Sequence, residues 1–426
     1  MSDTRFWHPF ADMSLVRSSE LVIVGAQGCT VTDQDGNDYF DGTASLWCVN
    51  VGHGRDEIAD AVAAQMRELA GYSAFGSFAN RPAIELAARL AGYAEEVVDD
   101  PRVFLGLGGG DAIDTAAKLA RRYFAATGQP ERVHIIGRTQ SYHGTHGLGT
   151  SIGGIAANQD GMGPLDPATS HVPWDSLEAL EAEIARVGPQ RVAAVFAEPV
   201  IGAGGVHRVP PTYLQGLQEL CRRHGILFVA DCVIGAFGRL GSWWGVDRFG
   251  LRPDMIVFAK GVTSGYLPLG GVVVGERVAA PFWEGPGGLW FRHGQTYSGH
   301  PTCCAAALAN LDIIEREGLL ERGHELEDEI AAALGPLAGQ PLVGQIRTGV
   351  GALGAVAFDP QALAEHPDLP LRTFAEARAR GVLVRPLGDA VAISPPLTAT
   401  REQIDAAGAV IGEAVGAVAA ALGADG

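Results

Sequence analysis

The stretch ILFVADCVIGAFGRLGSWWGVDRFGLRPDMIVFAK, residues 226–260, organises the reading of this chain. Its opening apolar run, Ile226 to Ala230, predicts a buried strand that delivers Asp231 at its end. A second run, Met255 to Ala259, predicts another strand that delivers Lys260 at its end. Ligands of open α/β sheets bind outside the carboxyl ends of the parallel strands. The acid and the lysine are therefore expected to face one shared site.

Lysine is rare here. The chain holds only two, Lys118 and Lys260, and every other basic side chain is arginine or histidine. Unlike arginine, lysine can lose its proton, act as a nucleophile and form a Schiff base with a carbonyl. A nearby aspartate suits a cofactor with a basic ring nitrogen, because the carboxylate keeps that nitrogen protonated and makes the ring an electron sink. The pairing points to pyridoxal 5'-phosphate (PLP). For two isolated residues, a structural ion pair at strand ends is the competing reading.

The flanking sequence repeats the strand–loop–helix rhythm. Strand 103–107 runs into Gly108-Gly109-Gly110 and a helix from Asp111 to about Ala126. Glycines before a helix N-terminus let backbone amides approach a phosphate, although a tight turn would use them too. The dinucleotide fingerprint fails, since Asp111 stands where its last glycine belongs. Strand 133–137 precedes SYHGTHG at 141–147, where an aromatic–His–Gly triplet could stack a ring or form a polar turn. Residues 151–175 read as a long surface loop. A helix at 176–187, strand 192–197, Glu198-Pro199 and a helix at 212–224 lead back to the Asp231 strand, and strand 270–274 follows Lys260. Strands alternating with helices predict a mostly parallel sheet covered by helices on both faces.

Toward the N-terminus, Leu21–Val24 and Cys29–Thr32 read as short strands, with DQDGND at 33–38 as a hairpin turn. The segment YFDGTASLWCVNVGHG, 39–54, resembles no regular element. Trp47 within it either lines a pocket or fills a core. Helices are expected at 56–70, 81–90 and 303–317. GVLVRPLGDAVAISPPL, 381–397, reads as a hairpin carrying Arg385, and 406–424 as an Ala-rich terminal helix rather than a membrane span. The expected division is an N-terminal segment, 1–55, contributing to a small domain, a large domain over 56–305, and a C-terminal small domain over 306–426.

A net charge of −18 argues against nucleic acid or an anionic membrane as partner. The six cysteines show neither a CxxC pair nor metal-ligand spacing, so no metal is expected and free thiols in a reducing compartment are. With no secretory signal at the N-terminus, the expected location is cytoplasmic.

Together these motifs resemble the class III aminotransferases, the fold-type I PLP-dependent enzymes that include the ω-transaminases. The resemblance runs from FWHPF to SPPL and is carried most specifically by ADCVIGAFGRLG, FAKGVTSGYLPLGG and TYSGHP. It implies a large PLP-binding domain plus a smaller α+β domain built from both chain ends. Lys260 corresponds to the Schiff-base lysine and Asp231 to the carboxylate on the pyridine nitrogen. Val233 and Tyr142 would flank the ring with His143 beside it, and Glu198 would lie near it. Gly109 and Gly110 match the phosphate cup. Thr296 matches a residue that reaches the phosphate of the neighbouring subunit, which implies a homodimer, or a higher homo-oligomer, with shared active sites. Leu46 and Trp47 resemble pocket-lining residues, and Arg385 an arginine that takes the substrate carboxylate, with a surface ion pair as its alternative.

The chain departs from the family twice. Asp231-Cys232-Val233 replaces Asp-Glu-Val, and Gly108-Gly109-Gly110 replaces Ser-Gly-Ser or Ser-Gly-Thr. The second change removes a hydroxyl from the phosphate cup. The implied activity is amino transfer from an amine or ω-amino acid to a keto acid by a ping-pong route. Racemisation or decarboxylation on the same fold, and a PLP-binding protein without activity, are the alternatives.

Overall fold

The computed structural model describes residues 5–285 and 287–424. Seven strands form its central sheet: β1 (Arg102–Gly106), β2 (His134–Arg138), β3 (Thr169–Val172), β4 (Val192–Ala197), β5 (Leu227–Asp231), β6 (Met255–Phe258) and β7 (Gly270–Val274). Their order across the sheet is β1-β7-β6-β5-β4-β2-β3. From β6 to β3 every neighbouring pair is parallel, while β7 runs antiparallel to both β6 and β1. The mostly parallel sheet read from the sequence is thus observed, with one reversed strand in it. β4 through β7 are wholly buried, which explains their continuous apolar runs where a half-exposed strand would alternate.

Glycine allows β7 to enter beside the first loop. A Cβ on Gly270 would stand 2.7 Å from the Gly108 carbonyl, so the strand can start there only without a side chain. Helix α1 (Gly109–Ala126) packs its buried face, including Ile113, Ala116, Ala120 and Phe124, on this sheet. It starts two residues before the expected Asp111, so Gly109 and Gly110 are its first turn rather than a preceding loop.

The expected loop at 151–175 is corrected in part. Its residues 169–172 are β3, an edge strand too short and too polar (Thr-Ser-His-Val) to show a hydrophobic period. A helix at Glu276–Trp283 also escaped the sequence reading. The chain ends meet as the resemblance implied. Asp38–Asp41 pairs in parallel with Val382–Leu383, and a second sheet holds residues 343–347, 354–358, 390–393 and 385–386. The predicted hairpin forms, with Arg385 opposite Ala392, but its first arm is divided between the two sheets.

Helix α2 (Pro301–Arg316) follows the central sheet in the chain, and α3 (Arg401–Ala424) is the last helix. α3 is long and apolar enough to cross a membrane by length and composition. Its Ile404, Ala407, Ile411, Val415 and Val418 instead enter the main core. All six cysteines are free.

Arg239 ties three parts of the chain together. Fully buried, it donates to the carbonyls of Pro395 at 2.6 Å and Ala352 at 3.1 Å, and to Asn50 Oδ1 at 2.9 Å. Burial lowers its pKa to about 10. Arg239→Met would leave those acceptors unsatisfied, and each orphaned buried group costs about 1–3 kcal/mol. The expected outcome in denaturant unfolding is a loss of about 3 kcal/mol or more, with Arg239→Lys recovering only part of it.

Candidate active site

The loops that follow β1, β2, β4, β5 and β6 converge at the carboxyl end of the sheet around a slot of about 180 Å³. β1 delivers Gly109 and Gly110, with Ile113 one turn further along α1; β2 delivers Tyr142, His143 and Gly144. β4 delivers Glu198, β5 delivers Asp231, Val233 and Ile234, and β6 delivers Lys260, while Leu46 arrives from the N-terminal segment. The two strand ends singled out by the sequence are adjacent in the sheet, and Asp231 sits opposite Val257 in the β5–β6 register.

Asp231 is held from two sides. Its Oδ2 lies 2.7 Å from His143 Nδ1, and its Oδ1 accepts the Val233 N–H at 3.0 Å. Glu198 clamps two loops: Oε1 accepts the Tyr142 N–H and Oε2 the Gly202 N–H, each at 3.0 Å. Burial raises the Glu198 pKa, and the Asp231 charge adds to it, while His143 and the two amides oppose the rise. Beneath it, the fully buried Arg138 donates to the Glu198 carbonyl at 2.5 Å.

Lys260 adopts φ 49°, a left-handed conformation that L-residues avoid. Such strain persists only where the surroundings over-determine it, and it concentrates at functional sites. The backbone there turns at once into Lys260–Val262, braced by Asn310 Nδ2 donating to the Gly261 and Val262 carbonyls. Burial lowers the Lys260 pKa below its ordinary 10.5, with Arg385 adding to the effect and Asp231, Cys48 and Glu198 opposing it. A half-buried lysine with a depressed pKa is a nucleophile and base in waiting.

Three expected residues lie elsewhere. Trp47 does not line the slot; only 4% exposed, it packs behind it among Val200, Val206 and Leu240, so the exposed-pocket reading is corrected to the core one. Its neighbour Leu46, 52% exposed, is the one that reaches the slot. Thr296 sits in an exposed turn away from it. Arg385 stands back from the lining but close enough to Tyr142 that each shifts the other's pKa. It has no carboxylate partner among the described residues, against the surface-ion-pair alternative.

Sequence reasoning missed Asp41, which shapes the segment carrying Leu46. Its carboxylate accepts the Ser45 N–H at 2.7 Å and the Thr43 hydroxyl at 2.9 Å, and lies 2.9 Å from His53 Nε2. These bonds hold Ala44, Ser45 and Trp47 at positive φ. Nothing in the local composition distinguishes Asp41 from an ordinary turn aspartate. Ile113, one turn along α1, and Ile234, next to Val233, also line the slot and went unnoticed.

The aminotransferase class-III family profile matches residues 14–415. This chain belongs to the class III aminotransferases. It is 37% identical over 422 residues to the putrescine–pyruvate aminotransferase of Pseudomonas aeruginosa, covering 93% of this chain and 91% of that one. A transaminase structure from the marine bacterium Virgibacillus superposes with a TM-score of 0.93 at 37% identity, covering 98% of both chains. A PLP-bound amine transaminase from an uncultivated Pseudomonas species gives 0.90 at 39% identity, covering 97% and 98%.

The cofactor of this aminotransferase is PLP, and the slot fits it. The open N-terminus of the 18-residue α1 suits a phosphate. A Cβ on Gly109 would come within 3.0 Å of Val233 Cγ1 and crowd the wall of the slot. Cys232, fully buried with its thiol pKa raised well above 9.0 by burial, is a small apolar filler where the family has glutamate.

The Lys260 shift has a consequence for the apoprotein. Its folded pKa lies below 10.5, so in the window between the two values the unfolded chain binds the extra proton. Stability from this group therefore rises with pH through that window. Urea midpoints of apoprotein measured from pH 7 to 10 should show this rise, and Lys260→Met should flatten it.

Proposed function

We propose that this aminotransferase moves the amino group of a primary amine or ω-amino acid to pyruvate or a similar keto acid in two half-reactions. The observation that carries the proposal is the juxtaposition of Lys260 and Asp231 in one slot. Bound there, PLP supplies a conjugated ring that takes up the electron pair left when the donor's C–H bond breaks. Asp231, fixed by His143 and the Val233 amide, keeps a proton on the ring nitrogen. Val233 and Tyr142 confine the ring, and the Glu198 clamp sets the Tyr142 backbone.

Lys260 Nζ is the base that removes the donor's proton and returns one to the neighbouring carbon. Its depressed pKa supports a neutral, proton-accepting amine. Gly109 and Gly110 present the first turn of α1 to the phosphate. Arg385, half-buried beside Tyr142 and without an acidic partner among the described residues, receives the keto-acid carboxylate. Leu46 bounds the mouth where the amine substituent lies. The pyruvate named for the Pseudomonas aeruginosa relative supports the choice of acceptor.

The active unit is a homodimer. A concavity of about 970 Å³, away from Lys260, is lined chiefly by apolar residues such as Phe75, Ile84, Leu105 and Trp290. Tyr72, Phe78 and Tyr297 are also exposed. Apolar surface on this scale favours a second copy of the chain. Its occupation would bring Thr296 to the partner's phosphate.

Adding a 1-arylethylamine to the PLP-loaded protein should abolish its visible band, and pyruvate should restore the band with release of alanine. Inversion of the amine without alanine would instead identify racemisation, and carbon dioxide release from an amino acid offered in place of the amine would identify decarboxylation. Lys260→Ala should remove the response. Arg385→Ala should raise KM for pyruvate about ten- to a hundredfold, the worth of a charge-assisted hydrogen bond, with little change for the arylamine. Sedimentation should give twice the chain mass.

A further inference from the structure

The phosphate cup of this chain lacks the hydroxyl that its family places at position 110, and the structure shows what occupies that space. A Cβ built on Gly110 would meet the imidazole of His146, with Cγ and Cδ2 at 3.5 Å and Nε2 at 3.6 Å. Among the described residues, and apart from its chain neighbours and its own helix backbone, no other group comes as near to that position. The ring is brought there by the loop after β2. Gly144, at φ 81°, lets the loop descend onto α1, since a Cβ there would lie 2.7 Å from Gly110 Cα. His146 then caps the helix Gly147–Ile152, and its carbonyl accepts the Thr150 N–H at 2.7 Å. The imidazole is exposed and makes no hydrogen bond to any described residue. Asp111, on the first turn of α1, has its carboxyl pKa raised by burial, a rise that the Leu107 and Gly108 amides and the neighbouring His146 oppose.

We propose that His146 is a phosphate-binding residue of this aminotransferase, its imidazole N–H donating to the PLP phosphate in place of the missing residue-110 hydroxyl. The proposal rests on placing the phosphate at Gly109 and Gly110. A Cβ at 110 would rest in ordinary contact with the ring, so the two positions border one space. An imidazole N–H reaches further than a serine hydroxyl and, when protonated, brings a positive charge to the dianionic phosphate. Asp111 Oδ2 is already engaged by the Leu107 N–H at 2.9 Å, which leaves the imidazole available to the ligand.

The test compares PLP with pyridoxal, which lacks the phosphate, by absorbance titration of apoenzyme. In His146→Ala the PLP dissociation constant should rise about ten- to a hundredfold, the value of one hydrogen bond to a charged group. Pyridoxal affinity and the apoenzyme melting temperature should stay unchanged. Adding Gly110→Ser to His146→Ala should restore much of the PLP affinity, because serine regains the family's hydroxyl in ordinary van der Waals space. His146→Gln, which keeps an N–H near Nε2, should stay within a few-fold of the parent and covers the case of a poorly folded alanine variant. Unchanged PLP affinity in His146→Ala, or equal losses for PLP and pyridoxal, would overturn the proposal. Gly110→Asp separates the underlying placement, since its carboxylate should repel PLP far more than pyridoxal. If Gly110→Asp binds PLP like the parent, the phosphate is elsewhere and both readings fall; if only His146→Ala is silent, the assignment of His146 alone is wrong.

Discussion

The carboxylate of Asp231 is the fixed point of the structure. It is delivered by a buried strand, gripped by His143 Nδ1 and the Val233 amide, and lines the same slot as Lys260. A buried carboxylate is costly unless paired, so the loop carrying His143 must come down over the strand end. That descent is secured by Glu198, which accepts the Tyr142 amide, and Arg138, which donates to the Glu198 carbonyl. The chain of bonds from β5 through β2 to β4 makes the slot a rigid feature.

Part of the backbone strain lies where the chemistry does. Lys260 and the Ala44–Trp47 segment hold non-glycine residues at positive φ, and both border the slot. Each is over-determined by side-chain hydrogen bonds from outside its own segment or its own turn, Asn310 in one case and Asp41 in the other. Glycine is used for the opposite purpose. At 144 and 270 it lets backbones approach more closely than any Cβ would allow, and the cofactor loops interlock through those contacts.

Much of this was legible in one dimension. The apolar runs ending in Asp231 and Lys260 identified two strands and a shared site, because parallel buried strands show unbroken hydrophobicity and present their carboxyl ends to ligands. The edge strand at 169–172 was not legible, since its short polar sequence gains its conformation from pairing with β2. The antiparallel sense of β7 was equally hidden, because a strand's direction is a property of its partners.

Residue chemistry and order therefore determined the α/β class, the scarce lysine at a strand end, the aspartate beside it and the membership of a PLP-dependent family. Tertiary structure decided which side chains share a volume. It buried Trp47 and left Leu46 at the mouth, it made Asp41 the anchor of that segment, and it set the His146 ring over Gly110. Adjacent residues in an irregular segment diverge according to backbone dihedrals fixed by distant hydrogen bonds. No period in the sequence records those angles.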